Sequence, residues 1–142
     1  MRITKVTTKT GDGGKTSLGN GQRVHKNHPI INTLGELDYL NSIIGWAEVE
    51  STNESYSSEL KNIQQDIFNI SGDLSLPNSD VSLLKEERIT HLEKMIKSMN
   101  EKLPPLEEFI LPGGSELNAR LHIARTTCRN SERSLVSLHL EH

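Results

Sequence analysis

Four stretches of the chain repeat apolar residues every three or four positions, and this spacing most constrains the fold. The stretches cover about 29–50, 55–74, 85–103 and 115–139. A repeat of three to four residues places apolar side chains on one face of an α-helix. Turn-forming residues separate the stretches, among them Pro77 and Pro104. The sequence therefore predicts an all-α fold, an antiparallel bundle of four to five helices joined by short loops.

Each predicted helix carries a stripe of expected core residues. The stripes are Ile30, Leu34, Leu37, Leu40, Ile44 and Ala47; Leu60, Ile63, Ile67, Ile70 and Leu74; Ile89, Leu92, Ile96 and Met99; and Leu117, Leu121, Ala124, Cys128, Leu135 and Leu138. Hydrophobic residues are 33% of the chain and aromatic residues only 4%, so aliphatic side chains dominate the packing. We expect part of that packing to lie between subunits. Asp80 or Ser82 is the predicted cap of the third helix.

The charge is unevenly distributed along the chain. Residues 1–28, called the head below, contain six of the sixteen Lys and Arg residues and one acid, Asp12, which gives +5. The remaining residues carry ten bases and eighteen acids, which gives −8 and a net charge of −3. A basic head on an acidic body predicts a small anionic ligand held locally. It argues against nucleic acid, which needs a broader basic face.

Simple counts exclude several other classes of protein. The single cysteine, Cys128, offers neither a disulfide framework nor a zinc cluster. No apolar run approaches the ~18 residues of a membrane span, and no signal peptide is visible, so we expect a cytoplasmic protein without membrane contact. We expect one domain, 1–139, made of the head and a bundle at 29–139. Residues 140–142 resemble the start of a polyhistidine tag, and we expect the natural chain to continue differently.

The most unusual part of the head is a segment rich in glycine, lysine and hydroxyl groups. It contains Thr8, Lys9, Thr10, Gly11, Asp12, Gly13, Gly14, Lys15, Thr16 and Ser17. Glycines let the backbone approach a ligand and turn N–H groups toward an anion. Lysines add charge, hydroxyls add neutral donors, and Asp12 is suited to a magnesium ion or a ribose hydroxyl. The composition fits phosphate binding and a flexible N-terminal arm equally well.

Two familiar phosphate motifs do not fit this segment. A Walker A loop ending at Gly14-Lys15-Thr16 would need glycine at position 9, where Lys9 stands. The dinucleotide fingerprint would need a third glycine at Thr16. The segment is therefore neither a P-loop nor a Rossmann turn.

The last predicted helix carries a row of charges. Arg125, Arg129, Glu132 and Arg133 are spaced by three, four and eight residues, so they share one face. Two guanidinium groups one helical turn apart, roughly 6 Å, match the spread of a polyphosphate. A ladder of solvent-facing charges would give the same pattern. We assign no role to His122.

Three blocks of the sequence together resemble the PduO-type ATP:corrinoid adenosyltransferases, also called cob(I)alamin adenosyltransferases. The blocks are TKTGD with TSL at 8–18, GELDYLNS at 35–42, and FILPGG followed by LHIARTTCRNSER at 109–133. They follow the order of the family over nearly the whole chain. The resemblance implies an enzyme that transfers the 5′-adenosyl group of ATP to a reduced corrinoid such as cobalamin.

The resemblance also implies how the site is built. It implies a homotrimer of helical bundles in which the head of one subunit holds ATP, with Mg²⁺ on its phosphates, against the last helix of a neighbour. Lys26 would reach the triphosphate, and Arg129, Glu132 and Arg133 would contact ATP. Arg125 would pair with Asp38 across the interface, and Phe109 would press against the lower face of the corrin. A corrinoid reductase is a further implied partner.

Such a reaction fits a chain without a catalytic triad. Cobalt(I) is itself a strong nucleophile, so the protein supplies positioning and charge. The sequence departs from the family at Tyr39, where a glutamate is usual, at Asn130, where a second arginine is usual, and at the family's last helix, which lies beyond His142. A binding module without turnover, and a helical oligomerisation domain with a disordered head, are therefore the alternatives.

Overall fold

The computed structural model describes residues 3–141. Met1, Arg2 and His142, which entered the charge count of the head and the expected tag remnant, lie outside that range. Within it the chain forms a two-stranded hairpin, β1 (Lys15–Ser17) and β2 (Arg23–His25), and then four helices. The helices are α1 (Pro29–Glu48), α2 (Glu54–Ser75), α3 (Glu87–Asn100) and α4 (Glu116–Glu141). The predicted all-α fold is confirmed, because only the short hairpin adds strand.

Local sequence signals begin three of the helices. Pro29 is the first residue of α1, and the Nδ1 atom of His28 accepts a hydrogen bond from the amide of Ile30, 3.1 Å away. Asn53 caps α2 by accepting from the amide of Tyr56 at 3.1 Å. Ser115 plays the same part for α4. Each cap satisfies an amide that has no partner within its own helix.

The third helix has no such cap, and the prediction that Asp80 or Ser82 caps it is wrong. Helix α3 follows Glu86, whose side chain makes no capping hydrogen bond. Residues 80 and 82 lie too far before the first helical residue to reach its amides. The carboxylate of Asp73 instead holds the preceding loop, accepting from the amides of Leu83 at 2.8 Å and Leu84 at 3.4 Å.

Helix α1 provides the centre of the core. Its residues Leu37, Leu40 and Ile44 are buried together with Ile67 of α2 and Ala124 of α4. Partly buried apolar residues surround this cluster, namely Ile43, Leu60, Ile63, Ile70, Leu74 and Leu135. These positions include most of the stripes predicted for α1 and α2. Helix α1 therefore joins the bundle by packing against both α2 and α4.

Small polar residues, rather than the predicted apolar stripe alone, form the contact face of α4. Thr127 and Ser131 are buried, whereas Leu121 and Cys128 are exposed, so the prediction of these two as core residues is wrong. The Ser131 hydroxyl lies 3.3 Å from the carbonyl of Glu36 and 3.2 Å from that of Thr127. A short side chain that hydrogen-bonds to backbone lets the two helices approach closely.

Helix α3 contributes no buried residue, so the prediction of a four-helix core is wrong at this helix. Ile89, Ile96 and Met99 are exposed by 38% or more. Several α3 residues line an apolar groove of about 560 Å³ that also involves α2 and the start of α4. The apolar stripe thus faces a groove that the described residues do not fill.

Polar contacts hold α3 against α2. The guanidinium of Arg88 donates two hydrogen bonds from Nε and one from Nη2 to the carboxylate of Asp66, at 2.8 to 3.0 Å. His91 lies 3.0 Å from Glu59 one turn later. Hydrogen bonding to the Asp66 carboxylate raises the pKa of Arg88 from its ordinary value. A bidentate, partly buried pair of this kind fixes orientation as well as distance.

The replacement Asp66→Asn should weaken the attachment of α3. It keeps the shape of the side chain but leaves Arg88 without its counter-charge, and we expect the free energy of unfolding to fall by about 1–3 kcal/mol. Urea denaturation followed by circular dichroism measures this change.

The control is Lys61→Ala, which removes an exposed ion pair of 3.5 Å with Glu48. It should cost less than about 1 kcal/mol, because solvent screens exposed pairs. Equal effects of the two substitutions would contradict a special role for Arg88 and Asp66.

Within 3–141, no helix combines the length and the apolar character needed to cross a bilayer.

Candidate functional site

The glycine-rich segment of the head forms an ordered turn that leads into the hairpin. The amide of Asp12 donates to the carbonyl of Lys9 at 3.4 Å, and that of Gly14 to Gly11 at 3.1 Å. Lys9 has a φ of 60° and Gly14 a φ of 86°, both in the left-handed region. The hydroxyls of Thr8 and Thr10 lie 2.9 Å apart. The sequence predicted an irregular head, and strands of three residues are too short to show an alternating pattern.

Lys26 joins this turn from the far side of the hairpin. Its amide donates to the carbonyl of Gly14 at 2.9 Å. A Cβ atom added to Gly11 would lie 2.9 Å from the Nζ atom of Lys26, so the ammonium group occupies the space that a side chain at position 11 would take. A side chain at position 11 would therefore displace the flexible end of Lys26 from its place against the turn. The structure places Lys26 beside the segment, and its contact with a triphosphate stays a prediction.

Arg23 is a residue of the head that sequence reasoning missed. Its guanidinium donates to the carbonyl of Thr10 at 2.8 Å, to the carbonyl of Lys15 at 3.4 Å and to the hydroxyl of Ser17 at 3.2 Å. The three bonds tie the turn to β1. The sequence carries no signal for this role, because Arg23 stands opposite Ser17 only in the register of a hairpin whose strands are too short to predict.

The hairpin is anchored to the end of α2. Leu18 and Val24 are its buried residues. The amide of Gly19 donates to the carbonyl of Ser75 at 2.8 Å, and a Cβ atom on Gly19 would approach that oxygen to 3.0 Å. The head is thus an ordered part of the fold, and the alternative of a flexible arm does not describe residues 11–26.

The charged face of α4 is exposed. Arg125, Arg129, Glu132 and Arg133 all lie at the surface, and Arg133 donates to the side chain of Asn130. Within the described range, neither Arg125 nor Arg129 has a hydrogen bond or an ion pair. Two guanidinium groups on one face are therefore available to an anion.

A third arginine of the same helix is fully engaged. The guanidinium of Arg120 lies 4.5 Å from the ring centroid of Trp46 and donates to its carbonyl at 2.7 Å. It also lies 2.9 Å from Glu116 and 3.8 Å from Glu50. The contacts of Arg120 join α4 to the end of α1, in contrast to the free guanidinium groups of Arg125 and Arg129.

The remaining predicted site residues lie elsewhere on the surface. Asp38 is exposed on α1, where it lines a cavity between α1 and α2. Phe109 lies in the segment that precedes α4 and has an exposure of 104%. No hydrogen bond or ion pair found within residues 3–141 joins the head, Asp38, Phe109 and the face of α4 to one another. One chain therefore presents these groups as separate parts.

The remaining candidates for chemistry are the thiol of Cys128 and groups of side chains that could bind a metal ion. Although Cys128 as a residue is exposed, partial desolvation of its thiol raises the pKa of Cys128, and the nearby Glu132 carboxylate raises it further. The thiol therefore stays protonated near neutral pH, which is unfavourable for a nucleophile. In the described part of the chain, no three His, Cys, Asp or Glu side chains are grouped to hold a metal ion.

Comparison with known proteins gives these parts a family. The family model "Cobalamin adenosyltransferase" matches residues 6–142. The chain belongs to this family. A cobalamin adenosyltransferase of Cupriavidus metallidurans is 45% identical over 138 residues, which are 96% of this chain and 74% of the relative. The corrinoid adenosyltransferase PduO of Citrobacter freundii is 40% identical over 140 residues, and there the chain spans only 42% of the relative's length.

A solved structure matches the fold closely. It is a variant of the PduO-type ATP:corrinoid adenosyltransferase from Lactobacillus reuteri complexed with cobalamin and ATP. The TM-score is 0.91 at 36% sequence identity, over 96% of this chain and 79% of that chain. The family resemblance read from the three sequence blocks is therefore confirmed.

Arg120 and Arg129 of α4 should contribute very differently to the free energy of unfolding. Arg120→Ala removes a cation–π contact and three polar contacts, and we expect the free energy of unfolding to fall by about 1–3 kcal/mol. Arg129→Ala, on the same helix, should change it by less than about 0.5 kcal/mol because Arg129 has no such contacts. Urea denaturation of both variants measures the difference, and equal losses would contradict the division.

Proposed function

We propose that this chain transfers the 5′-adenosyl group of ATP to the cobalt(I) of a corrinoid, forming adenosylcobalamin and releasing triphosphate. The observation that carries the proposal is a pair of unneutralised cationic surfaces, the head around Lys26 and the α4 face around Arg129. Each matches a sequence block shared with the family, and the matching solved structure holds both ATP and cobalamin.

The reaction needs an electron pair, a carbon and a leaving group in line. The electron pair of cobalt(I) forms the bond to C5′ of ATP, the C5′–O bond breaks, and its electrons leave with the triphosphate. The protein has no nucleophile to supply, since the metal is the nucleophile. Its work is to hold C5′ near the cobalt and to neutralise charge that develops on the departing triphosphate.

The residues of this chain divide that work. We assign the triphosphate to the amides of the glycine turn, to Lys9, Lys15 and Lys26, and to the hydroxyls of Thr8, Thr10, Thr16 and Ser17. Arg129, Glu132 and Arg133 complete the ATP contacts, and Mg²⁺ binds through the phosphates with Asp12 nearby. Arg23 acts as a positioning residue, because its three hydrogen bonds fix the turn. Phe109 covers one face of the corrin.

Two parts that do not meet within one chain can meet between chains. We propose a homotrimer in which the head of one subunit faces the α4 of its neighbour, and Arg125 pairs with Asp38 across the interface. The exposure of Arg125, Asp38 and Phe109 supports this arrangement, and within residues 3–141 the side chains of Arg125 and Asp38 have no hydrogen bond or ion pair. ATP is supplied in the cytoplasm, which we propose as the setting, with a reductase as the source of cobalt(I).

The absorbance spectrum of the corrinoid tests the reaction. Protein, ATP, Mg²⁺ and chemically reduced cobalamin should yield adenosylcobalamin faster than a protein-free control. Arg129→Ala should lower kcat/KM by about 100-fold, the scale expected when a donor to developing charge is lost. Arg120→Ala, assayed well below its unfolding temperature, should stay within about threefold of the parent. If the protein binds both substrates without turnover, it is a binding module and the proposed enzymatic activity is wrong.

Mixed oligomers test whether the site is shared between subunits. Lys26→Ala and Arg129→Ala should each be nearly inactive alone. Coexpressed, random assembly gives about a quarter of interfaces an intact head facing an intact α4, and activity should return to that level. A site built within one chain would regain nothing, because neither variant carries both parts. Sedimentation of the parent as a stable monomer would also reject the shared site.

A further inference from the structure

The linker between α3 and α4, residues 104–114, is exposed along almost its whole length. Every residue of 104–112 lies at the surface. Four of its large apolar side chains are exposed by 59% or more, namely Leu106, Phe109, Ile110 and Leu111. The proposed function needs Phe109 at a fixed place beside α4, because Phe109 covers the corrin while α4 contacts ATP. Burial in the core does not fix that place, so another contact has to do so.

One hydrogen bond ties the linker to the helix that follows it. The side-chain amide of Asn118 donates from Nδ2 to the carbonyl of Gly113. Within residues 3–141, no other hydrogen bond and no ion pair involves residues 104–114. Asn118 itself is well anchored, since it lies in the first turn of α4 and its backbone amide donates to the capping hydroxyl of Ser115 at 3.1 Å. The linker is therefore held through this single side chain.

The backbone at the end of the linker cannot fix its direction alone. Gly113 has a φ of 136° and Gly114 a φ of 92°. Glycine reaches positive φ about as readily as negative φ, so two glycines in succession leave many conformations open to the residues before them. The hydrogen bond from Asn118 selects one of these conformations, because it holds the Gly113 carbonyl against the first turn of α4.

We propose that Asn118 is a positioning residue for the reaction, which holds the linker against α4 through Gly113 and thereby keeps Phe109 in place. The inference rests on the proposed function. Asn118 acts through Phe109 and needs no contact with either substrate. When the bond is absent, the linker samples other conformations, and only the fraction of molecules with Phe109 in place binds the corrinoid productively.

The replacement Asn118→Asp removes the N–H donor and keeps the shape of the side chain. It should lower kcat/KM for reduced cobalamin by about 3- to 10-fold, the equivalent of one lost hydrogen bond. The KM for ATP should stay within about twofold of the parent. The midpoint of urea denaturation should not fall, because an acid in the first turn of a helix interacts favourably with the helix dipole. A loss of activity without a loss of stability separates positioning from a merely structural role.

Two further variants control for the added charge. Asn118→Ala removes the donor without adding a carboxylate, and it should give the same fall in kcat/KM for cobalamin. Asn62→Asp adds the same charge at an exposed position of α2 and should change neither the kinetics nor the stability. If Asn118→Ala behaves like the parent, the charge and not the lost hydrogen bond causes the effect, and the inference is wrong.

A double-mutant cycle shows whether Asn118 acts through Phe109. We expect Asn118→Asp to have no effect on kcat/KM when Phe109→Ala is already present, because the linker then has no ring to position. An equal loss in both backgrounds would mean that the two residues act independently. That result would overturn the inference, as would unchanged cobalamin kinetics in the single variant.

Limited proteolysis tests the tether without the reaction. A protease that cleaves after glutamate has sites at Glu107 and Glu108 in the linker. Asn118→Asp and Asn118→Ala should speed cleavage there by about 3- to 10-fold, because cleavage follows the population of open conformations. Cleavage after Glu86, in the loop before α3, is the internal control and should not change. If the parent makes no adenosylcobalamin, the proposed function fails, and unchanged cleavage at Glu107 and Glu108 separately rejects the tether.

Discussion

The packing of α1 against both α2 and α4 is the interaction on which the other parts depend. Leu37, Leu40 and Ile44 of α1 are buried against Ile67 of α2 and Ala124 of α4. That packing sets the charged face of α4 outward and brings the α1 and α2 ridges around Asp38 together. The end of α2 in turn carries the hairpin through the bond from Gly19 to Ser75. The head and the charged face of α4 are thus both held in place by one aliphatic core.

The core is thin because many of the large apolar side chains are not buried in it. Both phenylalanines, Tyr39 and most of the α3 stripe lie at the surface. Small polar residues such as Thr127 and Ser131 fill the contact between α1 and α4 instead. Apolar surface left exposed in this amount indicates contacts beyond one subunit, with a neighbouring chain or an apolar substrate. A neighbouring subunit in the proposed trimer and a bound corrinoid would both cover apolar surface that one chain leaves exposed.

Arginine residues of one helix show how similar side chains acquire different roles. The guanidinium of Arg120 lies over the ring of Trp46 and contacts two acids, so its charge is neutralised within the fold. Arg125 and Arg129 lie five and nine residues further along, and neither forms an ion pair among the described residues. The same residue type therefore stabilises the bundle near the start of α4 and remains available for ligand in the middle of the helix.

The sequence by itself determined the helices and the family, because periodic apolar positions are local signals and the three sequence blocks follow the order of the family. It did not predict the hairpin that brings Lys26 beside the glycine segment, because strands of three residues are too short to show an alternating pattern. Only the tertiary structure showed that α3 leaves its stripe exposed, that Arg23 fixes the turn, and that Asn41, Gln65 and Phe68 share a cavity with Asp38. Those facts depend on how separate helices meet, and residue spacing within one helix carries no information about its neighbour.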